Sequence, residues 1–171
     1  MTRDVTGRVL VAGIGNIFNR DDGFGPEVAR RLLGRALPNG VRVVDYGIRG
    51  MHLAYDLLDG YDVLVLVDAI PGRARDGEGP VPPGTVRALQ VGAGDVSGGQ
   101  LDAHGMDPAT VLANLAALGG SMPATTLVVG CAPESVDEGV GLSDPVAAAV
   151  DVAADTVLEL LTRSAPQAVG S

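Results

Sequence analysis

Short, nearly continuous apolar runs at positions 9–12, 41–44 and 63–67 read as β-strands, each ending where glycine or polar residues take over. Continuous rather than alternating hydrophobicity is what a parallel strand shows when helices cover both of its faces. Positions 86–91 form a weaker run that reads as an edge strand, and 126–130 supply a fifth strand. Between the strands the period lengthens. From Pro26 onward Val28, Leu32 and Ala36 recur at helical spacing, with Arg30, Arg31 and Arg35 turned outward. A second helix is predicted over 51–58. Asp107-Pro108 reads as an N-cap followed by a first-turn proline, with Val111, Leu112, Leu115 and Leu118 along one side. Ser143 and Pro145 open a last helix that buries Val146, Val150, Val157 and Leu161.

Strands alternating with helices in this order predict a single α/β domain over 1–164, with 165–171 as a frayed tail. Its sheet is five-stranded, open and mostly parallel, with helices on both faces and one edge strand as the candidate to run antiparallel. Right-handed crossovers place strand one beside strand three if the sheet reverses direction after strand two. Ligands in such folds sit beyond the carboxyl ends of the strands, at that reversal. Asp22 lies just past strand one and Asp68 at the tip of strand three, so both are expected at one crevice. His104 reaches it only if its loop folds back. Positions 71–84 read as a Pro/Gly-rich surface loop, and 92–102 as a second loose stretch.

Composition removes several alternatives. All 12 basic residues are Arg, so there is no P-loop lysine, Schiff base or lysine general base. Net charge is −9 and aromatic residues are 3%, which argues against nucleic acid and anionic membrane as partners. No apolar run approaches the roughly 20 residues that span a bilayer. The N-terminus lacks an apolar signal region, so a soluble cytoplasmic protein is expected, a monomer or weak oligomer. Cys131 is the single cysteine; it falls in an apolar run and reads as a buried, inert thiol.

Gly13-Ile14-Gly15-Asn16 begins like a dinucleotide fingerprint but fails it, because Phe18 occupies the third glycine position and should crowd the helix–strand approach. Asp21-Asp22-Gly23 suits an N-cap and macrodipole pair as well as a ligand loop. Asp68 follows a buried strand, where an unpaired carboxylate is costly, so it either caps a turn or belongs to a site. His52 reads as a helical surface residue, whereas His104 lies in a Gly-flanked loop before a helix. Two carboxylates and an imidazole, if they converge, make an open site for a borderline divalent metal. No His-Glu-x-x-His motif is present.

Taken in order, Gly13-Ile14-Gly15-Asn16, Asp21-Asp22-Gly23-Phe24-Gly25 and Pro26-Glu27-Val28-Ala29 resemble the opening signature of the nickel–iron hydrogenase maturation endopeptidases. Asp45-Tyr46-Gly47, Gly50-Met51, Val67-Asp68-Ala69-Ile70, His104-Gly105 and Gly130-Cys131-Ala132-Pro133-Glu134-Ser135 follow in the family's order. The resemblance covers about residues 8–160. It implies an endopeptidase that removes a short C-terminal extension from a hydrogenase large-subunit precursor once nickel has been inserted. It also implies that Asp22, Asp68 and His104 are the metal-binding and catalytic residues, with nickel supplied by the precursor. Asn16, Asp45 and Gly47 are the implied substrate-binding positions.

Two departures stand out. Asp22 replaces a Glu found in many members and is one methylene shorter, so Asp21 competes for the first-loop role. After strand two, Tyr46 and Ile48 replace a small residue and a Thr in a segment associated with substrate choice. The expected chemistry is a polarised carbonyl or a metal-bound water of lowered pKa, with Asp21 or Asp45 also available as proton acceptor. Clustered carboxylates would draw in a cation, and the acidic surface a basic precursor tail. The readings of another class are a nickel-checking chaperone without catalysis and a cofactor-binding α/β module.

Overall fold

The structure is a computed structural model and describes residues 7–70, 81–91 and 108–164. Five strands form one sheet: β1 (Val9–Ile14), β2 (Val41–Gly47), β3 (Val63–Ala69), β4 (Val86–Gln90) and β5 (Thr125–Cys131). Their order is β2-β1-β3-β5-β4. All pairs run parallel except β4, which lies antiparallel to β5 at the edge, with Val86 opposite Cys131. The helices are α1 (Phe24–Leu33), α2 (Gly50–Leu57), α3 (Pro108–Ala117) and α4 (Asp144–Ser164).

Burial along the strands matches position in the sheet. Every residue of β1 is buried, and β3 and β5 are nearly so, because each has a neighbour on both sides and helices on both faces. At the other edge β2 buries only Val43 and Tyr46. Alternation along the strands divides the core into two layers. Val9, Val11, Val63, Val65 and Val67 face α1 and α4 with Phe24, Val28, Leu32, Val150 and Val157. Leu10, Ala12, Ile14, Leu64 and Leu66 face the other way, onto Leu53, Leu57, Val111 and Leu115 of α2 and α3. Each such Leu or Val contributes about 1.5–3 kcal/mol by leaving water.

Two details differ from the sequence reading. Helix α1 begins at Phe24, before Pro26, and ends at Leu33, so Ala36 lies beyond it and is exposed. Phe18 does not crowd the helix–strand contact; it is 62% exposed on the loop. That contact belongs to Gly25 and Gly13. A Cβ on Gly25 would lie 2.2 Å from the Val67 carbonyl oxygen and 2.3 Å from that of Ile14, and one on Gly13 would lie 2.4 Å from the Gly25 carbonyl oxygen. Backbone meets backbone there, and the start of α1 sits directly on the ends of β1 and β3.

Candidate active site at the carboxyl edge of the sheet

Because the chain goes from β1 to β2 and then back across to β3, the switch point lies between the carboxyl ends of β1 and β3. The turn leaving β1 begins with Gly15 at φ +141°, a conformation open to glycine and strained for other residues. A Cβ on Gly15 would lie 1.9 Å from the Asp22 carbonyl oxygen and 3.5 Å from Oδ1 of Asp68. The first loop and the tip of β3 therefore meet at a residue that must lack a side chain. The Gly15 N–H donates to the Gly47 carbonyl at 2.9 Å, which brings the end of β2 to the same place.

Asp22 lies in a short 3-10 turn, Arg20–Gly23. Its Oδ2 accepts the Asn16 N–H at 2.9 Å, folding the carboxylate back over the start of the loop. Asp68 Oδ1 accepts the N–H of Ala69 at 2.8 Å. Both side chains are half-buried. Asp45 lies two residues before the end of β2, with its Oδ1 3.9 Å from the position a Cβ on Gly47 would take. Arg49 holds that strand end by donating to the Asp45 carbonyl at 2.7 Å and the Tyr46 carbonyl at 3.1 Å. Asn16 spends its side-chain oxygen inside the loop, accepting the Phe18 N–H at 2.9 Å. His104 lies outside the described residues. Among the described residues no three of His, Cys, Asp and Glu gather as a metal cage, so the crevice itself contributes two carboxylates.

Asp21 has a different environment. It is fully buried. Its Oδ2 accepts the N–H of Glu134 at 2.8 Å, the N–H of Ser135 at 3.1 Å and the Ser143 hydroxyl at 2.8 Å. Its Oδ1 accepts the Ser143 N–H at 2.7 Å. Burial alone would raise its pKa, but the donors from Ser143, Glu134 and Ser135 outweigh it and hold the carboxyl below its ordinary value. The tie is reciprocal: the Asp21 N–H donates to the Ser135 carbonyl, and Phe18, Arg20 and Gly139 exchange two further backbone bonds. Adjacent aspartates thus divide the work. Asp21 fastens the loop to the β5–α4 connection, and Asp22 folds its carboxylate onto the Asn16 N–H at the start of that loop.

Cys131 is buried, its thiol pushed up to about 11 by desolvation and by the Asp21 charge, as suits an inert core residue. Tyr46 is also fully buried and donates to Asp56 Oδ2 at 2.6 Å, with His52 Nε2 3.8 Å from the same oxygen. His52 is exposed, as its sequence position suggested. Neither the Asp21 cage nor the Tyr46–Asp56 bond was legible as such in the sequence. Both join groups whose partners are set by tertiary packing.

A doubly wound α/β protein with two acids meeting at its switch point has the layout of a small enzyme with a ligand crevice. Comparison with known proteins makes the class specific. A sequence model of the hydrogenase maturation protease family matches residues 26–160, and the chain belongs to that family. It is 32% identical over 166 residues to the hydrogenase 2 maturation protease of Escherichia coli strain K12, covering 95% of each chain. Its fold is similar to the hydrogenase maturating endopeptidase HybD from Escherichia coli. There the TM-score is 0.73 at 30% identity, over 92% of this chain and 93% of that one. A hydrogenase 2 maturation peptidase from a Thaumarchaeota archaeon gives 0.66 at 32% identity, over 90% and 97%. The chain is accordingly a peptidase of hydrogenase maturation. Among the described residues no helix is long and apolar enough to cross a membrane.

Proposed function

We propose that this peptidase removes the C-terminal extension of a nickel–iron hydrogenase large-subunit precursor after nickel insertion, recognising the nickel that the precursor carries. The observation that supports this most is that the Asp22 backbone and the Asp68 carboxylate both lie against Gly15, which puts two acidic residues side by side at the switch point. Asp21 is occupied by four donors, which supports reading Asp22 as the first-loop ligand. His104 is the third ligand in this reading. Carboxylate and imidazole ligands suit nickel already held by precursor thiolates, filling the positions the thiolates leave. The bound metal would supply Lewis-acid polarisation at the scissile peptide.

The chain's own groups do the rest. Asp22 and Asp68 orient the incoming cation, and their half-buried setting strengthens the attraction over that of fully exposed carboxylates. The Asn16 N–H fixes the Asp22 rotamer. Asp45 and Gly47 border the entry, where they would meet the extended precursor. The metal-bearing end of the precursor would be drawn toward the acidic crevice, so processing is expected to slow as salt rises. Incubation with nickel-loaded and nickel-free precursor, followed by mass measurement of its C-terminus, tests the reading. Shortening of the loaded form alone is expected; equal shortening of both would remove nickel recognition. Binding of loaded precursor without any shortening would remove catalysis.

A further inference from the structure

The loop that presents Asp22 has a second side. There Ile17, Val140 and Leu142, with Arg20, Arg30 and Arg31 along the rim, line a groove of about 390 Å³ whose wall includes Gly23. Gly23 follows Asp22 directly and its would-be Cβ lies 3.1 Å from the Ile17 Cα, so the groove is built on the same loop that carries Asp22. Val140 is 77% exposed and Ile17 43% exposed. Of the rim cations, Arg30 pairs with Glu27 at 3.5 Å and Arg31 with Asp151 at 2.6 Å. Arg20 makes no ion pair among the described residues, although the protein as a whole carries net charge −9. Its position is fixed. Backbone bonds through Gly139 hold Arg20 at φ +48°, and the side chain lies over Gly139, where a Cβ would come 2.9 Å from Nε.

We propose that this groove seats the segment of the precursor that is cut away. An apolar side chain would lie between Ile17, Val140 and Leu142, and a neighbouring Asp or Glu side chain would meet Arg20. Exposed apolar side chains beside one guanidinium without an ion pair among the described residues select that pairing by charge and by surface. An extended chain advances about 3.4 Å per residue, so a peptide crossing the loop from the crevice reaches the groove within a few residues. The inference rests on the precursor-cleaving reading above and names a subsite for its substrate.

Two measurements on the full chain test it. In processing of nickel-loaded precursor, Arg20→Glu and Val140→Asp are each expected to raise KM at least tenfold with kcat within twofold. Val140 is exposed enough that its replacement leaves the fold intact, and thermal melting of both variants checks this. In amide chemical-shift titrations, the blocked peptide acetyl-Ser-Leu-Glu-Ser-amide should perturb residues 17–23 and 139–142. The Gln counterpart should bind at least fivefold more weakly, as should the free acid acetyl-Ser-Leu-Ser. Equal response to the Gln peptide, a stronger response to the free α-carboxylate, or shifts elsewhere would each overturn the assignment. Unchanged KM in both variants, with wild-type processing intact, would sink the groove while sparing the cleavage reading. Loss of processing by the wild-type protein would sink that reading instead.

Discussion

Asp21 and Asp22 are consecutive, identical in type, and opposite in circumstance. Asp21 is dry and surrounded by four donors; Asp22 is half-buried and shares a crevice with a second carboxylate. The first arrangement stabilises a charge so well that it becomes part of the scaffold. The second sets two half-buried acidic residues side by side at the switch point, which suits attraction of a cation. Chemistry thus depends less on residue type than on how many donors the fold has already committed.

The contrast can be broken or sharpened by substitution. Asp68→Asn is expected to reduce processing of loaded precursor by about 10³-fold, equivalent to several kcal/mol of transition-state stabilisation. Urea unfolding should change little. A variant that unfolds readily, or that cleaves at the normal rate, would erase the distinction between the two sites.

For Asp21→Asn the expectation is reversed: about 3 kcal/mol of stability lost, read by urea midpoint, because an amide cannot accept from all four donors and sets its own N–H₂ against them. This gap should also depend on pH. The folded pKa of Asp21 lies below its ordinary value of 3.8, so the unfolded chain binds more protons and stability falls as pH falls. Above about pH 5 the difference between wild type and Asp21→Asn should be constant. It should shrink as pH drops below the unfolded value and through the lowered folded one. A pH-independent difference would mean that the hydrogen bonds, rather than the charge, account for the loss.

Gly25→Ala tests the scaffold beneath the crevice. The new methyl would press on the Val67 and Ile14 carbonyls, with an expected loss of about 2 kcal/mol and a rise in KM as the first loop is displaced. Tyr46→Phe has the smallest expected effect, about 1 kcal/mol. Asp56 would lose one donor while His52 and Arg42 stay near it, at 3.8 and 3.9 Å. That places it between the two aspartates. A larger loss than for Asp21→Asn would show that donor number is not the governing variable.

The strands were legible because their environment is uniform: β1, β3 and β5 are buried on both faces and therefore apolar apart from Asp68, Thr125 and Thr126. Even the antiparallel edge strand showed itself through the weaker run at 86–91, four of whose residues are exposed. The start of α1 was harder, since Phe24-Gly25 looks like loop until one sees what Gly25 touches. The nearness of Asp22 and Asp68 followed from topology alone. What Asp21 does could not be read, because its partners are backbone N–H groups 113 to 122 residues away, and every residue but proline has one. Tyr46 was noted as a departure; its bond to Asp56, a helix away, was not.

That long separation has a consequence for biogenesis. The loop bearing Asp22 is translated early, yet its fastening waits for Ser143, so it cannot be locked until most of the polypeptide has left the ribosome. Closing so distant a contact is entropically slow. The Asp22 loop of a nascent chain thus gains its anchorage only once the segment leading into the last helix has been made.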